Sequence, residues 1–170
     1  MEENERAGPS SRGLVDLNQL LQQHVEGFRV TLGDAVELAL EPGPVRPVSV
    51  VPNQLRFILD QMLVNAREAM VVAGRVTLAT AVETVPQRLA AKGLAIEAGE
   101  YVTLTLVDTG RGMTGPTLGH LFEKFFTTKD DHLGLGLSTV HEVMAAWGGL
   151  IQVRSQIGAG ATFKIYFPAC

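Results

Sequence analysis

The 170 residues and net charge of −4 describe a single domain, able to bury about two thirds of its unfolded surface, with no basic stripe for a phosphate backbone; nucleic acid is excluded as a partner. The one cysteine, Cys170, is the last residue, which excludes an internal disulfide and suits a reducing, cytoplasmic compartment. The polar opening MEENERAGPSSRG lacks the apolar centre of a signal peptide, and no apolar run approaches the roughly 20 residues that span a bilayer, so this chain is expected to make no membrane contact.

Residues 1–14 read as a flexible tail or linker and 15–170 as the folded unit. After Asp16, a suitable N-cap, Leu17, Leu20, Leu21, His24, Val25 and Phe28 recur at helical spacing and predict a helix to about Leu32. The run AVELALE predicts a strand, and EPGPVRPVSVVP a turn with a brief edge strand. Leu55, Ile58, Leu59, Met62, Ala66, Ala69 and Met70 share one face of a second, core-facing helix, with Asn53 as its cap. GRVTLATAVETV and YVTLTLVD predict two strands, with a loop from about Pro86 to Glu100 between them. STVHEVMAAW predicts a last helix, stopped by Gly148 and Gly149, and LIQVRSQ and ATFKIYF a closing hairpin around IGAG. The expected architecture is α+β: a two-layer α/β sandwich with a mixed, mostly antiparallel sheet backed by helices.

Three places carry chemistry beyond what this scaffold needs. In LTLVDTGRGM the carboxylate of Asp108 ends an apolar strand, where burial is costly unless hydrogen bonds are donated to it. The segment is readable as an ordinary strand-to-helix turn, as an aspartic-protease Asp-Thr-Gly, or as an acceptor for a ligand amine such as that of adenine, with Gly110 and Gly112 making room for a flat base. Arg111 stands where a protease wants a small residue. In QMLVNAREAM, Gln61, Asn65 and Glu68 share a helix face beside the apolar stripe; Asn65 is either a solvated amide or a hard oxygen ligand for Mg²⁺. In LFEKFFTTKDDHLGLGLST, phenylalanines precede a polar stretch, and Gly134 and Gly136 open a helix. This is a lid hinge, with or without a phosphate on the helix N-terminus, and it matches neither a Walker motif nor a dinucleotide fingerprint.

Taken in order, NAREAM, DTGRGM, LFEKFFTTK and GLGLST, with the ending GAGATFKIYFP, resemble the ATP-binding catalytic domain of bacterial two-component sensor histidine kinases, in the superfamily that includes gyrase, the ninety-kilodalton heat-shock chaperone and mismatch-repair ATPases. The resemblance covers about Val15 to Pro168. It implies a Bergerat-type ATP-binding fold with ATP between sheet and helices, Asn65 holding Mg²⁺, Glu68 supporting its hydration and Asp108 reading adenine. It also implies a nucleotide site that includes Gly110, Gly112, Met113, Phe122, Gly134, Leu135, Gly136 and Leu137. Thr128 or Lys129 would approach the phosphates, and Thr162 would help orient Asp108 or its bridging water. Implied partners are ATP and ADP, the histidine-containing dimerisation domain of a parent kinase, and a response regulator.

Two positions depart from the family pattern: Gln61 stands where asparagine is common, and His132 where the lid commonly has a glycine. The hydrolytic branch of the superfamily has a glutamate one turn before the magnesium asparagine; Gln61 cannot take a proton, which favours transfer to a protein side chain over attack by water. His24, His120, His132 and His141 do not look like phosphoacceptors: His141 precedes Glu142 but falls in the helix after GLGLST. The acceptor histidine is therefore expected outside this chain, in a helical hairpin preceding it in a longer kinase. The competing expectations are a response-regulator-binding module with a vestigial pocket and a protein serine kinase of the anti-sigma type.

Overall fold

A computed structural model describes residues 11–128, 130 and 133–170; Lys129 and His132, both singled out above, lie outside the described residues. The chain runs β1 (Gly13–Val15), α1 (Leu17–Leu32), β2 (Val36–Pro42), β3 (Val48–Val50), α2 (Pro52–Ala69), β4 (Gly74–Val85), β5 (Leu89–Ala91), β6 (Leu94–Ile96), β7 (Gly99–Asp108), α3 (Gly115–His120), α4 (Gly136–Trp147), β8 (Leu150–Ser155) and β9 (Ala161–Pro168).

Asp16 caps α1 as its sequence position suggests, accepting a hydrogen bond from the Gln19 N–H at 3.0 Å, an interaction worth about 1 kcal/mol. Asn53 does not cap α2: Val51 occupies the N-cap without a side-chain bond, and Pro52 begins the helix. Proline has no N–H to satisfy and its fixed φ suits the first helical turn, so the start needs no polar side chain. The tail is also shorter than expected, because Gly13 and Leu14 already pair with Val50 and Ser49 in a two-stranded sheet.

The main sheet has five strands in the order β2-β4-β7-β9-β8. Only β2 and β4 run parallel; the other three pairings are antiparallel. One face carries Val76, Leu78, Leu104, Leu106, Ile165 and Phe167, all buried with Ile58, Leu59 and Met62 of α2 and Phe28 of α1 in one core. The opposite face carries Thr77, Thr103, Thr105 and the Lys164–Glu83 ion pair. Period-two alternation thus separates a helix-backed face from one that is polar except where Val85, Leu150 and Tyr166 form a second, smaller apolar cluster, and the two-layer sandwich read from the pattern is the observed architecture.

The predicted loop from Pro86 to Glu100 contains a hairpin, β5 with β6. Its strands are three residues each, too short for an alternation signal. The hairpin buries Ile96 beside Val85, Leu150 and Tyr166 in a second apolar cluster. At its tip Lys92 donates to the Leu118 carbonyl of α3, and the Lys92 carbonyl contacts His141 Nε2 of α4 at 2.7 Å.

Candidate functional site

The C-terminal half of α2, the turn after β7, the β8–β9 turn and the start of α4 enclose a cavity of about 670 Å³, a size typical of small-molecule sites. Asp108 is at its floor. β7 delivers it opposite Val76 on β4 and Ala161 on β9, with 3% of the residue exposed. The Gly110 N–H donates to Asp108 Oδ1 at 2.8 Å and the Ala161 N–H at 3.3 Å. Both bonds fall on one oxygen; among the described residues Oδ2 accepts none, and the carboxylate lines the cavity. Burial raises the Asp108 pKa above the ordinary carboxylate value, and the N–H donors from Gly110 and Ala161 oppose that rise.

The glycines of this turn are also required by packing within the protein. A Cβ on Gly110 would come within 2.6 Å of Ala69 Cβ, and one on Gly112 within 2.0 Å of the Gln156 carbonyl oxygen, with φ at +73°. They let the turn pass between α2 and the β8–β9 turn, held there by Arg111 N–H to Ala69 carbonyl and Gly158 N–H to Arg111 carbonyl at 2.9 and 2.8 Å. Close approach of protein to protein requires both glycines; Gly110 is buried outside the cavity lining, whereas Gly112 also lines the cavity.

Along one wall, Gln61, Asn65 and Glu68 of α2 all line the cavity, as their spacing predicts. The Asn65 amide makes no side-chain hydrogen bond among the described residues, whereas Glu68 has a partner. At the far end Gln61 lies against the start of α4: a Cβ on Gly136 would meet Gln61 Oε1 at 2.1 Å. The α4 N-cap, Leu135, supplies no side-chain bond, and the Ser138 and Thr139 hydroxyls donate to its carbonyl at 3.0 and 2.8 Å. Among the described residues no side chain accepts from the first-turn N–H groups, at the positive end of the helix dipole.

Of the other predicted residues, Met113, Thr128, Gly134, Leu135, Gly136 and Leu137 line the cavity. Phe122 does not; its ring lies 5.5 Å from that of His141 and anchors the segment from outside. Thr162 is also not brought to the site. It stands opposite Val107 and Arg154 in the sheet, one residue out of phase with Ala161, so it projects from the face away from Asp108; the Ala161 N–H performs the orienting role expected of it. The described histidines lie outside the cavity lining. His24 Nδ1 lies 2.8 Å from Arg56 Nη1 and His120 Nδ1 2.9 Å from Glu123 Oε1. Sequence reasoning missed Arg111, Leu133, Ile157 and Ala161 as cavity residues; each becomes one through the turn geometry, and none carries a motif of its own.

Residues 50–170 match the family model described as histidine kinase-, DNA gyrase B- and HSP90-like ATPase. The chain is 36% identical over 160 residues to the sensor kinase CckA of Brucella abortus, covering 91% of this chain and 16% of that protein. It is 30% identical over 156 residues to the sensor histidine kinase ZraS of Escherichia coli K12, covering 91% of this chain and 30% of the relative. It thus spans less than a third of the length of these curated relatives. Among solved structures, full-length ShkA in complex with AMPPNP superposes with a TM-score of 0.72 at 29% identity, covering 93% of this chain and 31% of that one. The mycobacterial sensor histidine kinase MprB, at 21% identity and a TM-score of 0.69 over 92% of this chain and 97% of that one, shares the fold. The chain belongs to the family of histidine kinase-, DNA gyrase B- and HSP90-like ATPases, as an ATP-binding catalytic domain of the kind sensor histidine kinases carry.

Proposed function

We propose that this chain binds Mg·ATP and passes the γ-phosphoryl group to a histidine on a dimerisation domain outside it, from which a response regulator is the next acceptor. The observation that carries this reading is the Asp108 carboxylate: Oδ1 is fixed by two backbone N–H groups while Oδ2 remains for a ligand. A buried carboxylate with an unused oxygen suits the exocyclic amine of adenine and repels the carbonyl that guanine presents at the same place.

Asn65 fits Mg²⁺ as a single hard oxygen donor on the cavity wall. Among the described residues no three His, Cys, Asp or Glu side chains gather into a metal site, so phosphate oxygens and water would complete the shell. When bound, Mg²⁺ would neutralise charge on the transferring phosphoryl group. Glu68 would hold the metal's water, and Thr128 with the α4 N-terminus would face the phosphates; the role implied for Lys129 falls on a residue outside the described ones. Transfer breaks the bond between the γ-phosphorus and the β–γ bridging oxygen and forms a phosphorus–nitrogen bond to the acceptor imidazole, leaving ADP. Gln61, whose amide is no base, disfavours the competing attack by water. The bound AMPPNP in the related ShkA structure supports the nucleotide reading.

Calorimetric titration with ATP, ADP and GTP, with and without Mg²⁺, tests it. Adenine nucleotides are expected to bind in preference to GTP, and Asp108→Ala to weaken ATP about ten- to a hundredfold through loss of a charge-assisted hydrogen bond. No heat with ADP would leave a vestigial pocket, and equal affinity for ATP and GTP would remove the role of Asp108. The isolated chain should acquire no acid-labile label from γ-labelled ATP until a kinase histidine hairpin is supplied in trans.

A further inference from the structure

The Arg111 side chain lines the cavity and is exposed, yet among the described residues its guanidinium makes no hydrogen bond or ion pair. By contrast, Arg75 is held by Glu37 at 2.9 Å and Lys124 by Glu142 at 2.8 Å. The Arg111 backbone is fixed at both ends, its N–H on Ala69 and its carbonyl on Gly158. The side chain therefore starts from a rigid base and ends without a partner among the described residues.

Its place along the cavity decides what it meets. Ala69, to which Arg111 is bonded, is eight residues from Gln61 on α2, a separation of roughly 12 Å at the helical rise. Gln61 lies against Gly136 at the start of α4, where the helix N-cap makes no side-chain bond. Arg111 belongs to the opposite end, with Asp108. Across the turn beside it, Ile157 lines the same rim with 63% of its surface exposed, and Ala69 offers the wall only a methyl group. A flat ring with its amine on Asp108 Oδ2 would meet little apolar cover on this side.

We propose that Arg111 is a base-binding residue whose guanidinium stacks on the outer face of the purine that Asp108 holds by its edge, with Ile157 completing the rim. The inference rests on the nucleotide reading above. Guanidinium is planar and weakly hydrated, so it stacks on an aromatic face where an ammonium does not. Because every purine has such a face, Arg111 supplies affinity while Asp108 supplies discrimination.

The test is calorimetry of the wild-type chain, Arg111→Ala, Arg111→Lys and Asp108→Ala with AMP, ADP and ATP at low and high salt. Arg111→Ala is expected to weaken all three nucleotides by the same factor, about three- to tenfold for a partly exposed stack, and to about the same extent at both salt concentrations. Arg111→Lys should recover only a minor part. A loss that grows from AMP to ATP and fades with salt would make Arg111 a phosphate ligand and overturn the proposal, as would unchanged affinities. If the wild type binds no adenosine nucleotide, the functional reading falls and this inference with it. If Asp108→Ala weakens binding and Arg111→Ala does not, only the inference falls. Arg111 is exposed, so its variants should melt with the wild type.

Discussion

The two ends of the cavity are built by different means. At the Asp108 end the backbone is held from every side: Thr109 N–H to the Arg75 carbonyl at 3.1 Å, Arg111 to Ala69, Gly158 to Arg111, and two donors on the carboxylate itself. At the other end, Phe125 and Leu133 are 72% and 77% exposed, and Leu135 stands at a helix start without a side-chain cap. Phe125 also adopts φ +64°, a conformation bulky residues avoid. One end is complete before any ligand arrives, which suits reading a base whose shape never changes. The other leaves the Phe125 and Leu133 side chains exposed and the α4 N-cap without a side-chain bond, which suits the phosphate chain of the proposed nucleotide.

The largest effect should come from placing a side chain in the rigid end. Gly112→Ala requires an L residue at φ +73° and a Cβ 2.0 Å from a carbonyl oxygen, and the combined strain and overpacking should cost about 3 kcal/mol. Leu133→Ala at the open end removes a side chain that is mostly in water and should stay within about 0.5 kcal/mol of wild type. Urea denaturation of the two variants measures both; equal losses would mean that the ends are equally packed.

The next effect is a pH dependence confined to the rigid end. Asp108 is raised above its ordinary value by burial, so the folded chain holds its proton more tightly than the unfolded chain does. The stability tied to that proton is fully present below the unfolded carboxylate value and is lost as pH rises through the folded one. Asp108→Asn should therefore flatten this part of the stability curve, gaining on wild type as pH rises from the ordinary carboxylate value upward. Parallel curves for the two proteins in that window would contradict the stated direction of the shift.

The same division explains what could be read from the sequence. α1, α2, α4 and the main strands announce themselves because apolar spacing reports burial directly, and Asp108, Asn65 and Gly136 are visible because polar or side-chain-free residues in such places need a reason. Thr162 misleads because strand phase depends on register: one residue separates it from Ala161, whose backbone does the work. Gly110 and Gly112 are recognisable as necessary, but what crowds them, Ala69 and the Gln156 carbonyl, comes from 41 and 44 residues away by sequence number. Arg111 and Ile157 are invisible for the same reason, since a surface side chain becomes a cavity wall only through the turns that carry it. The β5–β6 hairpin escapes because three-residue strands show no periodicity.

A smaller effect than that at Gly112 is expected at Phe125, and two opposing contributions set it. A bulky residue at φ +64° carries about 1–2 kcal/mol of backbone strain, and glycine removes it at the position where the Phe125 N–H reaches the Gly134 carbonyl at 3.0 Å. Against this, glycine gives the unfolded chain about 0.5–1 kcal/mol of additional entropy to lose, and the quarter or so of the ring that is covered forfeits a little apolar contact. Phe125→Gly should thus leave the ligand-free chain unchanged or more stable by up to about 1 kcal/mol, in contrast with the loss at Gly112. Chemical denaturation without nucleotide measures the difference. A destabilisation beyond about 1 kcal/mol would mean that the Phe125 ring is packed in solution, and the contrast between a finished Asp108 end and an open α4 end would have to be redrawn around it.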